Sequence, residues 1–224
     1  MEADFFQTMV LTFKLASVTT LILLLIGIPL AAYLAYGTVR FKSVVETIVS
    51  MPLVLPPSVL GFYLLLAFSP ASALGEFLTE QGIRLAFSFE GLVIGSVLFS
   101  LPFMVHPIQS ALSGVPRSVF EASYTLGKSK LTTMTRVVLP MIRGGLISGI
   151  TLAFAHTVGE FGVILMIGGN IPDETRVASI AIYDEVESLN YALAHQYALT
   201  LFVVTFAILL LVYTLNKKSL GGIR

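Results

Sequence analysis

The sequence predicts an all-α integral membrane protein of five transmembrane helices. Three observations carry that expectation. Hydrophobic residues make up 56% of the chain and charged residues only 12%, about half the charged share of a soluble domain. The apolar residues fall into five long stretches, at about 12–36, 47–68, 89–112, 142–168 and 192–214, each able to cross a hydrocarbon core of roughly 30 Å. The basic residues gather in alternate loops, as the positive-inside bias requires.

The first stretch resembles a signal peptide only superficially. Its apolar run is too long, and Glu2 and Asp4 give its leader the wrong sign, so it reads as an uncleaved first helix containing Pro29. The second opens on Met51-Pro-Leu-Val-Leu-Pro-Pro57, and the third carries Pro102 and Pro107. Proline removes a backbone donor and disturbs the preceding turn. Two readings stand: kinks that let helices pack, or segments lining a path where water satisfies the freed carbonyls. The fourth is crowded with small residues, Gly144, Gly145, Ser148, Gly149, Ala153, Ala155, Gly159 and Gly162. They suit close helix packing or, alternatively, a flexible gating helix. The fifth is uninterrupted.

Orientation follows from charge. Arg40, Lys42, Arg117, Lys128, Lys130, Arg136, Arg143, Lys217, Lys218 and Arg224 are ten of the thirteen basic residues, and five crossings place them on one side. The N-terminus is therefore expected outside and the C-terminus in the cytoplasm. Glu76, Glu80, Glu90, Asp173, Glu174, Asp184, Glu185 and Glu187 fall on the other side. A net charge of zero gives no reason to expect nucleic acid. The lack of cysteine excludes disulfides and thiolate chemistry. With no tryptophan, an interfacial belt must rest on Tyr and Phe.

The loop at 116–140 is the most informative. Pro116 suits a first helical turn, a short helix follows to about residue 126, and Gly127 stops it. Val119, Phe120, Ser123 and Tyr124 are expected near one face, which suits either docking into a partner's groove or lying on the membrane surface. Gly127-Lys128-Ser129 resembles the end of a phosphate-binding loop. That motif needs a glycine where Ala122 stands and a preceding strand, so the chain is expected to be no enzyme and to hydrolyse no ATP.

Glu121-Ala122-Ser123, with Gly127 four residues on and Val137-Val-Leu139-Pro140 after nine more, resembles the EAA loop of ABC importer permeases. Ser123 stands where the pattern has its second alanine. The resemblance implies a type I importer permease fold in a bacterial inner membrane, with 116–140 as a cytoplasmic coupling loop. Phe120, Glu121, Ala122, Ser123, Tyr124, Gly127, Leu139 and Pro140 would couple it to a separate ATPase. ATP and Mg would be used by that subunit, and this chain would hold no cofactor. The implied partners are a second permease copy, two ATPase subunits and an external, periplasmic binding protein. A homodimer also follows from size, because five helices make a small pathway unless two copies share it.

Gly159-Glu-Phe-Gly-Val-Ile-Leu-Met-Ile-Gly-Gly-Asn-Ile-Pro172, followed by Thr175 and Ala181-Ile-Tyr183, is similar to the oxyanion branch of these permeases, for molybdate, tungstate and sulfate, and most of all to molybdate permeases. An intramembrane acid is costly, and a dianionic cargo would be repelled by a charged Glu160. Glu160 is therefore assigned a structural or gating role. Ser96, Ser100, Ser148, Thr151 and Thr157 are candidates for a weakly binding path, with Gly159, Glu160 and Gly162 as its gate. His106 and His156 read as packing residues, and no spacing suits a metal. A proton-coupled oxyanion carrier using Glu160 is the competing expectation.

Overall fold

The computed structural model describes residues 2–37 and 41–220. Arg40, Arg224 and the side chains of Lys217 and Lys218, used above for orientation, lie outside that description. Every regular element among the described residues is helical. In chain order they are α1 (Glu2–Tyr36), α2 (Lys42–Ser50) with a 3₁₀ turn (Met51–Leu53), α3 (Pro57–Phe68), α4 (Ala73–Glu80) and α5 (Phe89–Ser113). Then come α6 (Arg117–Thr125), α7 (Lys130–Thr133), a π turn (Met134–Val138), α8 (Leu139–Met141), α9 (Arg143–Val158), α10 (Gly162–Gly168), α11 (Ala178–Glu187) and α12 (Tyr191–Leu220).

Among the described residues three helices are long and apolar enough to cross a membrane: α1, α5 and α12. Two bent pairs raise the number to five if each is one span. The 47–68 stretch is thus not one helix. Its two halves, Lys42–Leu53 and Pro57–Phe68, meet at 109°. The cause is local: Pro57 forces Pro56 out of the helical region, to φ −53° and ψ 134°. The 142–168 stretch is also divided, at Gly159–Phe161, between α9 and α10. A 76° bend separates Lys130–Met141 from Arg143–Val158. By contrast Pro29, Pro102 and Pro107 remain inside continuous helices.

The helix α5 lies at the centre. Its Met104, Val105, Ile108 and Leu112 bury against Leu23, Ala31 and Leu34 of α1 and Ala153 of α9. Its other end packs Leu92 and Val93 on Leu11 and Leu15 of α1 and on Ile164 and Ile167 of α10. Ser88 starts α5 by accepting from the amide of Gly91 at 3.1 Å. The first amide of α11, Ala178, finds its acceptor on another helix, the buried hydroxyl of Thr12, at 2.8 Å. Arg176 ties the preceding loop to α11 through Asp184 (3.2 Å) and Glu185 (3.0 Å). The helix α12 packs its first turns, through the buried Tyr197, on Met9 of α1 and on Ala178 and Ala181 of α11, while Phe202, Phe206 and Leu210 further along are exposed, as a lipid- or partner-facing surface permits.

Candidate functional site

The 116–140 segment is a helix, a sharp reversal and a second short helical run. The reversal is a Schellman cap: the amide of Gly127 donates to the carbonyl of Tyr124 at 2.9 Å, and that of Lys128 to Ser123 at 3.1 Å. Gly127 takes φ +72°, a left-handed conformation that glycine adopts without steric cost. Beyond it, Ser129 caps α7 by accepting from the amide of Thr132 at 3.2 Å.

Two contacts fix how α6 sits. Ser123 and Thr133 are both buried and their hydroxyls lie 2.8 Å apart. Thr133 donates its own proton to the carbonyl of Ser129 at 2.9 Å, so Ser123 is the donor between the two hydroxyls. The second contact is Phe120, which is half-buried and meets Tyr36 at the end of α1 edge-on, with ring centroids 5.2 Å apart. The Tyr36 hydroxyl donates at 2.7 Å to the carbonyl of Leu112 near the end of α5. So α6 is tied both to its own return strand of chain and to the ends of α1 and α5.

Of the residues expected near one face, Val119 and Phe120 are half-buried, Ser123 is buried and Tyr124 is exposed, and Phe120 and Tyr124 line one cavity with Tyr36 and Met134. Glu121, Ala122 and Leu126 are exposed. Leu139 is half-buried and Pro140 exposed in α8, ahead of the bend into α9. Sequence reasoning missed Tyr36 and Thr133. An aromatic closing the first apolar stretch is a signal for Tyr36. Nothing in the local pattern marks Thr133 as the partner of Ser123.

The second predicted group does not form one lining. Ser100 and Thr157 come together in the interior of α5 and α9, with hydroxyls 3.0 Å apart. His156 joins them, its Nδ1 2.9 Å from Ser100 Oγ and its ring stacked on Phe103 at 3.9 Å. Ser148 and Thr151 instead border a small recess between α9 and α12, with Leu152 and Tyr213. Ser96 is buried and its hydroxyl lacks a hydrogen-bond partner.

Glu160 lies in the break between α9 and α10. It is only 3% exposed. Ser96 stands beside its carboxyl group, but neither carboxyl oxygen has a hydrogen-bond partner among the described residues. Its backbone is better served, with the carbonyl accepting from the hydroxyl of Ser179 on α11 at 2.6 Å. Next to it, Gly162 lets α10 approach α3: an added Cβ would stand 2.8 Å from that of Pro57. No cluster suited to a metal occurs among the described residues.

Comparison with known proteins bears on all of this. Residues 27–220 match the family described as binding-protein-dependent transport system inner membrane component. The molybdenum transport system permease protein ModB of Azotobacter vinelandii is 44% identical over 212 residues, 94% of each chain. The ModB of Escherichia coli K12 is 36% identical over 183 residues, 81% of this chain and 80% of that one. A probable sulfate transport system permease protein, cysT of Zygnema circumcarinatum, is 33% identical over 211 residues, 93% and 73% of the two. Among solved structures, the inward-facing MetNI methionine ABC transporter superposes with a TM-score of 0.75 at 16% identity, over 97% of both chains. A bacterial ABC transporter involved in import of the polysaccharide alginate gives 0.78 at 17%, over 96% of this chain and 79% of that one. These two likenesses establish a shared fold.

Proposed function

Because the chain belongs to the family of binding-protein-dependent transport system inner membrane components, we propose that it is the membrane-spanning permease of an ATP-driven importer carrying molybdate into a bacterial cell. The observation that carries this reading is α6, capped by Gly127, tethered by Ser123 and Phe120, and presenting Glu121, Ala122 and Tyr124 outward. A rigid helix with a free outer face is what a partner's groove needs. In this reading an ATPase seats on that face, uses ATP and Mg, and moves α6. Phe120 passes the displacement to α1 and α5, while Leu139 and Pro140 pass it through the bend to α9. The permease itself holds no cofactor.

The substrate assignment rests on similarity to molybdenum permeases across most of the chain, with sulfate permeases as more distant relatives. The assembly we envisage has two permease copies, two ATPase subunits and a periplasmic binding protein. It sits in the inner membrane as five crossings, N-terminus outside and C-terminus in the cytoplasm. The break Gly159–Gly162, with Glu160, serves as a hinge or gate, and Ser148, Thr151 and Thr157 belong to the helix that it moves. The family does not favour the proton-coupled carrier.

The test is molybdate uptake by membranes holding this chain with its ATPase and supplied with the binding protein, against a version whose ATPase cannot hydrolyse ATP. Uptake should require hydrolysis and survive collapse of the proton gradient. Uptake that persists without the ATPase but stops with the gradient would sink the proposal, and preference for sulfate would overturn the substrate.

A further inference from the structure

Polar residues around the start of the second apolar stretch and near the end of the third point to a face that neither the motifs nor the hydroxyl set above identified. On α2 and α5 two hydrogen-bonded pairs lie one turn apart. Gln109 donates to the carboxylate of Glu46 at 3.0 Å, and Ser50 Oγ lies 3.2 Å from His106 Nε2. All four are half-buried, and Ser43 and Thr47 beside them on α2 are exposed. The same side holds the 109° bend. Val54 there is 85% exposed, and Pro56, Pro57 and Ser58 are exposed with it.

Val44, Ile48 and Met51 of the same segment are exposed apolar residues that lipid suits, but the polar stripe and the bend do not. The bend falls midway along the 42–68 stretch, so a crossing or re-entrant segment carries it deep into the membrane. Irregular backbone at that depth is tolerated only where protein buries it or water reaches it, and this chain does not bury it. A carboxylate, an imidazole, an amide and several hydroxyls add the same requirement, because polar side chains within a membrane face the bundle interior or a wet cavity. The face of α12 is the contrast: continuous helix, with Phe202, Phe206 and Leu210 outward.

We propose that the face made by α2, the 54–58 bend and the His106–Gln109 turn of α5 lines a water-filled route for a small hydrated oxyanion, closed on its open side by a second copy of the chain. The inference rests on the transport reading above and says where on this chain the anion passes. In the Ser50–His106 pair one group donates to the other, which leaves the pair one further O–H or N–H for an anion, and the Gln109 amide, with one hydrogen on Glu46, keeps a second. Glu46 opposes a long stay, which suits a passage, where an ion must be held weakly enough to leave. The route lies on the α2 side of α5, away from the recess that Ser148 and Thr151 border at α12.

The chain has no cysteine, so Thr47→Cys, Ser50→Cys and Phe202→Cys each give it a single thiol. The assembled complex, in lipid nanodiscs open to both sides, is treated with a charged, water-soluble thiol reagent, and labelling of this chain is followed with and without molybdate. Thiolate, the reacting form, needs water, so Thr47→Cys and Ser50→Cys should react at least about tenfold faster than Phe202→Cys, and molybdate should slow them. Rates no faster than that of Phe202→Cys would overturn the wet face. Fast rates indifferent to molybdate would overturn its assignment to the anion. Molybdate uptake by the unsubstituted complex in vesicles is measured alongside. Its absence would count against the transport reading, which the labelling rates do not address.

Discussion

Phe120 meets Tyr36 edge to face, ring centroids 5.2 Å apart, where α6 crosses the end of the first long helix. In the proposed transport reading this contact would let α6 act as a lever on α1. Phe120→Ala removes a half-buried ring, at a cost of about 2–3 kcal/mol, below the 3–5 of a fully buried one. ATP hydrolysis by the complex should persist while molybdate uptake falls several-fold. Tyr36→Phe keeps the ring and loses only the bond to the Leu112 carbonyl, worth about 1 kcal/mol, and should impair uptake less. The check is the ratio of ATP hydrolysed to molybdate imported. An unchanged ratio in Phe120→Ala would dismiss the lever.

At Gly127 the strain is purely torsional, since an added Cβ would meet nothing within 4 Å. A branched residue at φ +72° costs about 1–2 kcal/mol, whereas asparagine visits this region more readily. Gly127→Val should lower uptake and thermal stability, and Gly127→Asn should largely preserve both. Equal damage from the two would point to a contact with the partner instead of to the cap.

The hydroxyl pair Ser123–Thr133 can be weighed by a double-mutant cycle. Ser123→Ala removes the donor and should destabilise the complex by about 1 kcal/mol, while Thr133→Val removes the acceptor together with the bond to the Ser129 carbonyl and should cost more. Because the two share one interaction, the double variant should lose less than the sum of the singles. Thermal unfolding measures the cycle, and strict additivity would mean that the bond does not hold the segment together.

Among the described residues Glu160 has no hydrogen-bond partner for either carboxyl oxygen. Glu160→Gln keeps shape and polarity while removing ionisation. Uptake should stay within about twofold of the original, a barrier change under about 0.5 kcal/mol. Glu160→Leu, which removes the polar end, should alter the break and lower uptake more. A Glu160→Gln complex that imports nothing would show that the charge itself is needed.

Much of this protein is written locally. The apolar stretches, the stop at Gly127 and the extended residue before Pro57 follow from composition and from backbone preferences that act over a few residues. The EAA-like spacing around Glu121 and Gly127 likewise lies in consecutive chain. What the sequence does not mark is which side of each helix faces inward. In a soluble helix an apolar stripe marks the buried face. Here the lipid side and the packed side are both apolar, as Phe206 and Ile108 illustrate, the first exposed and the second fully buried. Long-range packing therefore decided that Phe120 turns to Tyr36, that Ser123 finds Thr133, and that Ser100 and Ser148 serve different surfaces. It also decided that Glu46, Ser50, His106 and Gln109 share one face, because only the crossing of α2 over α5 brings residues so distant in the chain within hydrogen-bonding reach.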